Sequence, residues 1–348
     1  MKKNDADIKL CTHLSYLGMG FPATKELEKI LEESFTPKEA RVALALPTKV
    51  APLNPVSVED ISKEIYLPHD ELSKTLENLS SRGLLYSGLT AQGKKGYALH
   101  QMGYGFPQVF FWKGEKSSFS RQMARLVTNY RKAKDVNYEA FGTTKTKNYR
   151  YIPPKKAFEH PHEKHVVLTF EQMETVIQNA KTIAVSHCSC RMRTEVLERR
   201  RCHYETEVCI KFDELAEYVV ERGLGRKISH EEALEINRKC EKAGLVHMVE
   251  NSREKLKHAC NGCSCCCWSV GTIKRRITPR DVLIATYYIR ETDAEACAGC
   301  GLCADICPVD AVCMEDDLAI VDKAWCIGCG LCIGPCPSDA ARLKRRTA

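Results

Sequence analysis

The chain has 348 residues, 20 of them cysteine, with 44% hydrophobic residues, 28% charged residues and a net charge of +7. These values are typical of globular domains and exclude wholesale disorder and collagen-like repeats, and the length predicts two or three domains. We find no secretory pattern at the start and no stretch near the roughly 18 apolar residues of a membrane span, so we expect a cytoplasmic location.

Residues 1–112 have the pattern of a winged-helix-like domain. Thr36, Pro37 and Glu39 form a capping box at the start of a helix. SVEDISKEI and ELSKTLENLSSRGLL, separated by LPHD, predict a helix–turn–helix whose last helix ends at Gly83. LLYSGLTAQGKKGYALH then predicts two strands around a glycine-rich wing.

The predicted recognition helix bears on DNA binding. Its charged residues are Lys74, Arg82, Asp70, Glu71 and Glu77, so acidic side chains outnumber basic ones. Phosphate neutralisation needs the reverse balance. We therefore interpret this segment as a protein-docking module and expect no specific duplex binding at physiological salt.

Residues 113–165 are predicted to be a basic linker or docking segment. Residues 113–157 alone hold twelve Lys or Arg against three acidic residues, whereas residues 292–340 hold nine acidic residues against one lysine. Such asymmetry indicates partner surfaces of opposite sign. The linker ends in HPHEKH, whose histidines we interpret as solvated rather than metal-binding, before a strand-like VVLTF.

Residues 166–290 are predicted to form a mainly helical, cysteine-rich domain. Nineteen of the 20 cysteines lie between Cys188 and Cys336, and clustered thiols without a secretory signal more often bind metal than form disulfides. FDELAEYVVERG and a helix capped by Ser229 separate two cysteine groups. The candidate metal ligands here are Cys188, Cys190, Cys202, Cys209, Cys260, Cys263, Cys265, Cys266 and Cys267.

These nine cysteines predict a third metal centre if the two groups converge. We interpret it as a further Fe–S cluster, with zinc or unligated thiols as the alternatives. Cys265, Cys266 and Cys267 cannot all face one metal in a regular element, because successive side chains diverge. Cys240 and Cys313 are interpreted as packing residues, and Cys11 stands apart.

An internal repeat of 29 residues dominates residues 291–348. CAGCGLCADICPVDA from Cys297 matches CIGCGLCIGPCPSDA from Cys326 at ten of fifteen positions, and each copy reads C-x2-C-x2-C-x3-C-P. This segment closely resembles the bacterial two-cluster ferredoxins, in which such runs hold 4Fe–4S clusters. The resemblance implies an α+β ferredoxin-like domain with two 4Fe–4S clusters. Zinc knuckles are the alternative, which the four cysteines per copy, the following proline and the duplication disfavour.

In that family the fourth cysteine of each run ligates the other cluster. The resemblance therefore implies one cluster on Cys297, Cys300, Cys303 and Cys336. It implies a second cluster on Cys326, Cys329, Cys332 and Cys307.

The whole arrangement resembles a group of multidomain iron–sulfur proteins of anaerobes. That group joins a winged-helix-like segment, a C-x-C-R module, a second cysteine-rich run and a terminal dicluster ferredoxin. Its second run is C-N-C-C-x-C-C, and here Gly262 stands at one of the cysteine positions.

The resulting hypothesis is an α+β multidomain electron-transfer protein. It would pass single electrons to or from a partner redox protein or enzyme complex, rather than act as a stand-alone enzyme. Two alternatives are a catalytic subunit with substrate at the middle cluster and an Fe–S redox-sensing transcription regulator. No Walker loop, Rossmann fingerprint or nucleophile elbow is found, so a nucleotide or flavin site is unsupported.

Overall fold

The computed structural model describes residues 3–133, 147–160, 163–164, 172–252, 256–282 and 284–346. The helices are α1 (Lys3–Ser15), α2 (Lys25–Ser34), α3 (Pro37–Leu44), α4 (Val58–Ser62), α5 (His69–Ser81), α6 (Ser118–Lys132), α7 (Met173–Asn179), α8 (Ser189–Val196), α9 (Asp213–Glu221), α10 (His230–Lys242), α11 (Trp268–Lys274) and α12 (Leu302–Asp305). The strands are β1 (Val56–Ser57), β2 (Leu85–Leu89), β3 (Lys95–Leu99), β4 (Tyr149–Ile152), β5 (Glu159–His160), β6 (Glu163–Lys164), β7 (Ile183–His187), β8 (Glu207–Phe212), β9 (Arg226–Ile228), β10 (Val246–Glu250), β11 (His258–Gly262), β12 (Ile284–Ala285), β13 (Tyr288–Thr292), β14 (Val312–Glu315), β15 (Leu318–Val321) and β16 (Ala341–Arg345). The predicted strand VVLTF and the histidine side chains of HPHEKH lie outside the described residues.

The chain folds into two compact units whose segments alternate along the sequence. Unit 1 takes the described residues within 1–143, 184–199 and 213–227, and unit 2 takes those within 144–183, 200–212 and 228–348. Helices combine with several small sheets, which agrees with the α+β class predicted from the sequence. No helix in the described part of the chain has the length and apolar character needed to cross a membrane.

The start of α3 forms as its capping pattern predicts. The Thr36 hydroxyl accepts a hydrogen bond from the Glu39 backbone N–H at 3.3 Å, and a Glu39 carboxylate oxygen accepts from the Thr36 N–H at 2.8 Å. These reciprocal bonds satisfy two N–H groups that the helix itself leaves without partners. The capping box is therefore confirmed.

Unit 1 continues with two helices and a three-stranded sheet. Helix α5 buries Leu72, Leu76 and Leu79 along one face, as helical spacing requires. The two strands predicted around the wing, β2 and β3, pair antiparallel, and β1 pairs with the other edge of β3. The order along the chain is thus α3, β1, α4, α5, β2 and β3.

Unit 2 contains five strands that are hydrogen-bonded in the order β12, β4, β10, β11 and β8. Only the β12–β4 pair among these is parallel. The sequence predicted a mainly helical middle domain, and α9 and α10 do form, but residues 172–290 also carry β7–β12. The sequence pattern did not predict strand β10, because all five of its positions are buried, including the polar residues His247 and Glu250. It therefore shows neither the alternation of a half-buried strand nor an unbroken apolar run.

The last part of unit 2 contains two antiparallel strand pairs. Strand β13 pairs with β16, so that Tyr288 lies opposite Arg345, and β14 pairs with β15. Their inner faces join one hydrophobic cluster that also contains cysteines, namely Ala157, Tyr288, Cys303, Val312, Ala319, Cys332, Ile333, Ala341 and Leu343. Two cysteines of the repeat, Cys303 and Cys332, thus lie in the core of this part.

Candidate metal centres

Two cavities lie within the repeat, and each is lined by four cysteines. The first-copy cavity is lined by Cys297, Cys300, Cys303 and Cys336. The second-copy cavity is lined by Cys326, Cys329, Cys332 and Cys307. Each cavity thus takes three cysteines from one copy and the fourth from the other. This is the division that the resemblance to two-cluster ferredoxins implies, and ligation itself stays a prediction.

The backbone around the second-copy cavity depends on a glycine. Gly328, between Cys326 and Cys329, has φ +60°, in the left-handed region that side chains disfavour. A Cβ atom there would lie 1.9 Å from the Tyr288 carbonyl oxygen, which is backbone and cannot turn aside. Gly328 therefore lets the cysteine loop lie directly against β13.

The donor set of these cavities fits a 4Fe–4S cluster. Burial raises the pKa of Cys332 to about 12 and that of Cys329 well above its ordinary value. Thiols in such surroundings are held as thiolates when a bound cation neutralises them. At Cys336 burial acts in the same direction, but N–H groups of Ala341 and Ser338 outweigh it and lower the pKa. Four sulfurs around one site and N–H groups directed at sulfur are what such a cluster requires.

Arg290, on β13, is a feature of this site that sequence reasoning missed. Only 2% of its surface is exposed, and it lines both cavities. Its Nη2 donates to Cys303 Sγ at 3.5 Å, and its Nη1 donates to Thr292 Oγ1. Burial raises the pKa of Cys303, and the guanidinium charge opposes that rise. Nothing in the sequence marks this arginine, because arginines are normally exposed.

Four of the nine middle cysteines come together in unit 2. The Sγ atoms of Cys202, Cys263, Cys265 and Cys266, here called the cysteine quartet, all lie within 4.8 Å of one another. Within the described ranges no other set of three or more His, Cys, Asp or Glu ligand atoms is gathered this closely. Cys263 and Cys265 to Cys267 follow β11, and Cys202 lies 61 residues before Cys263.

The other five candidates lie elsewhere. Cys188 occupies the N-cap position of α8 in unit 1 without a side-chain capping bond, and Cys190 Sγ accepts from Arg131 Nη1 at 3.7 Å. Cys209 and Cys260 lie on adjacent strands β8 and β11, and buried Lys211 donates to Cys209 Sγ at 2.9 Å. A hydrogen bond from Cys260, opposed by burial and assisted by Lys211, holds the pKa of Cys209 well below its ordinary value.

Cys267 also stands outside the quartet, at the N-cap of α11. Its Sγ atom approaches Gly262, where an added Cβ would lie 3.0 Å from it and 2.6 Å from Met248 Cε. A side chain at position 262 would therefore displace these neighbours. A cysteine at position 262 would therefore require the side chains of Met248 and Cys267 to shift.

Comparisons with known proteins agree with the chemistry of the repeat. Residues 319–342 match the model of the 4Fe-4S binding domain family, and they include the four cysteines of the second copy. No curated protein and no solved structure matched the chain. The match and the cysteine groups together identify an iron–sulfur protein that holds at least one 4Fe–4S cluster.

Proposed function

We propose that this protein transfers single electrons through two 4Fe–4S clusters to or from a partner redox protein. The observation that carries the proposal is the pair of cavities, each lined by four cysteines in the crossed arrangement. A bound 4Fe–4S cluster supplies one-electron exchange at iron, and the protein sets its potential by charge, hydrogen bonds and solvent exposure.

The cysteines around the two cavities differ in solvent exposure, and this difference indicates which cavity a partner protein can approach. Cys326, Cys329 and Cys332 are buried, whereas Cys300 of the first-copy cavity is exposed. We infer that a partner exchanges electrons through the first-copy cavity. Arg290 lines both cavities, so the two are close neighbours and electrons can pass between them.

The acidic surface of the repeat indicates the kind of partner. The exposed acidic residues near the first copy are Glu295, Asp305, Asp310, Glu315, Asp316 and Asp317. Opposite charges steer diffusing proteins together and lose that effect as salt screens them. We infer a partner whose docking surface is basic.

In unit 1 we propose a winged-helix-like module that docks protein rather than DNA. The element order α3, β1, α4, α5, β2 and β3, with β3 at the centre of its sheet, supports this assignment. The acidic side chains of α5 support docking of protein. The four-part domain division and the cytoplasmic location remain predictions.

The crossed arrangement is tested by pairing single substitutions in anaerobically purified protein. Two clusters give about eight irons per chain. Because a lost ligand changes the EPR signal of its own cluster, Cys307→Ser should reproduce the change caused by Cys329→Ser. Cys336→Ser should reproduce that of Cys300→Ser. Cys313→Ser is the matched control, since this exposed cysteine on β14 lines neither cavity.

A Cys307→Ser spectrum that matches the Cys300→Ser spectrum would contradict the crossed arrangement. Electron transfer itself is tested with the reduced protein and two one-electron acceptors, one basic and one acidic. We expect the basic acceptor to react faster, with a rate that falls as ionic strength rises. Equal rates for both acceptors, or a rate insensitive to salt, would contradict the acidic docking surface.

A further inference from the structure

We propose that the cysteine quartet binds a single tetrahedral metal ion, with Zn²⁺ as the preferred occupant, instead of a third iron–sulfur cluster. The inference concerns Cys202, Cys263, Cys265 and Cys266 alone and does not depend on electron transfer through the repeat. It replaces the third cluster that the spacing of the cysteines suggested.

The separations between the quartet sulfurs carry the inference. Cys265 Sγ lies 3.5 Å from Cys263 Sγ and 3.6 Å from Cys266 Sγ, and Cys202 Sγ lies 3.8 Å from Cys266 Sγ. A zinc–thiolate bond is about 2.3 Å long, so the edge of a regular tetrahedron of sulfurs around zinc is about 3.8 Å. The quartet sulfurs therefore have the spacing of ligands that share one ion.

A cubane requires a different spacing. Each cysteine binds a different iron of the cluster, so the eight-atom core lies between the ligand sulfurs and keeps them apart. The cysteines of the repeat have a wider arrangement, in which four cysteines line each of two cavities. Among the described residues, no three of those repeat sulfurs come within 4.8 Å of one another, whereas all four quartet sulfurs do. The chain thus contains one group of closely spaced cysteine sulfurs, the quartet, and two groups with wider spacing, in the repeat.

The local backbone explains how neighbouring cysteines converge. Residues 264–266 form a turn rather than a helix or strand, so Cys265 and Cys266 are not forced to opposite sides. The Cys266 backbone N–H also donates to Cys263 Sγ at 3.4 Å. Cys267 is the N-cap residue of α11 and does not belong to the quartet. Four thiols this close repel one another as thiolates unless a cation lies between them.

The number of ligands defines what the ion would do. Four protein thiolates complete a tetrahedral shell and leave no position for water or substrate, as in structural zinc sites. The ion would join the loop at Cys202 to the turn after β11, both in unit 2. Zn²⁺ has no redox chemistry, so the quartet would hold the fold and not carry electrons. A substrate-binding iron at this position is accordingly unsupported.

Metal analysis of the anaerobically purified full chain tests the proposal. We expect about one zinc per chain beside about eight irons. Cys202→Ser should lower bound zinc at least tenfold and leave the iron content unchanged. Cys267→Ser changes the residue directly after the quartet and should retain the zinc. Cys240→Ser in α10 is the matched control. After replacement by Co²⁺, the optical spectrum should be that of a tetrahedral thiolate site and should disappear in Cys202→Ser.

The outcomes are distinguishable from one another. About twelve irons, with about four lost in Cys202→Ser, would establish a cluster and overturn the proposal, as would a full chain with no metal beyond the irons of the repeat. One additional iron with the spectrum of a single tetrahedral thiolate site would support a single ion and replace zinc as its occupant. Quartet-dependent zinc in a protein whose repeat holds no iron would refute the proposed electron transfer and leave this site standing.

Discussion

Arg290 is expected to raise the reduction potential of both proposed clusters, because a buried positive charge stabilises an added electron. Its Nη2 lies 3.5 Å from Cys303 Sγ. At an effective dielectric constant of about 20, unit charges at that distance interact by about 5 kcal/mol. Since 1.36 kcal/mol corresponds to about 59 mV for one electron, the upper limit is about 200 mV. If the added electron lies on average twice as far from the guanidinium, the shift in reduction potential is about 100 mV.

Replacing Arg290 by methionine should therefore lower the potential of the first-copy cluster by about 100 to 200 mV and shift that of the second-copy cluster in the same direction, measured by EPR-monitored redox titration of protein with unchanged iron content. Arg290→Lys keeps the charge and should retain most of the effect. Lys344→Met is the matched surface control, since that side chain is 70% exposed and screened by water and salt. Equal, small shifts in Arg290→Met and Lys344→Met, with both clusters intact, would refute the electrostatic reasoning.

Three further predictions concern the glycine loop, a buried histidine and the N-terminal module. Gly328→Ala should lose about half of the bound iron because its Cβ meets the Tyr288 carbonyl, whereas Gly301→Ala, with φ +75° and nothing within 4 Å, should cost only about 1 kcal/mol and keep its iron. Similar iron loss in both variants would contradict the explanation based on the clash with the Tyr288 carbonyl. Burial lowers the pKa of His100 from 6.5 to about 3, so its contribution to stability is complete above pH 6.5 and is lost as the pH falls toward 3. That amounts to about 2 kcal/mol between pH 6.5 and 5, and urea unfolding should show a shallower pH dependence for His100→Gln than for the unchanged protein. Finally, residues 1–157 should show no sequence-selective binding to duplex DNA at physiological salt, and nanomolar binding in a fluorescence-anisotropy titration would favour a transcription regulator.

Features coded by neighbouring residues were predictable from the sequence. The Thr36–Glu39 capping box, strands β2 and β3 and the Ser229 cap of α10 all form as their patterns indicate. The two caps depend on side chains that satisfy backbone groups three residues away, and β2 and β3 are joined by a short connection. Such local interactions form independently of the tertiary structure of the rest of the chain.

Features built from distant residues were not predictable in the same way. Nine cysteines were candidates for the middle centre, and only the folded chain shows that Cys202 joins Cys263, Cys265 and Cys266. Strand β10 escaped notice because Glu250 is buried with His258, whose Nδ1 lies 3.1 Å from a Glu250 carboxylate oxygen. Paired polar groups inside a protein remove the pattern by which strands are recognised.

The exchange of fourth cysteines between the two cavities has a consequence for how the protein matures. Cys336 is synthesised 39 residues after Cys297, so the first-copy cavity stays incomplete until almost the whole repeat has left the ribosome. A chain cut between the copies would leave each cavity with three of its four sulfurs in one fragment and the fourth in the other. With the proposed ligand sets, a complete set of four sulfurs would form for either cluster only after both copies have been translated.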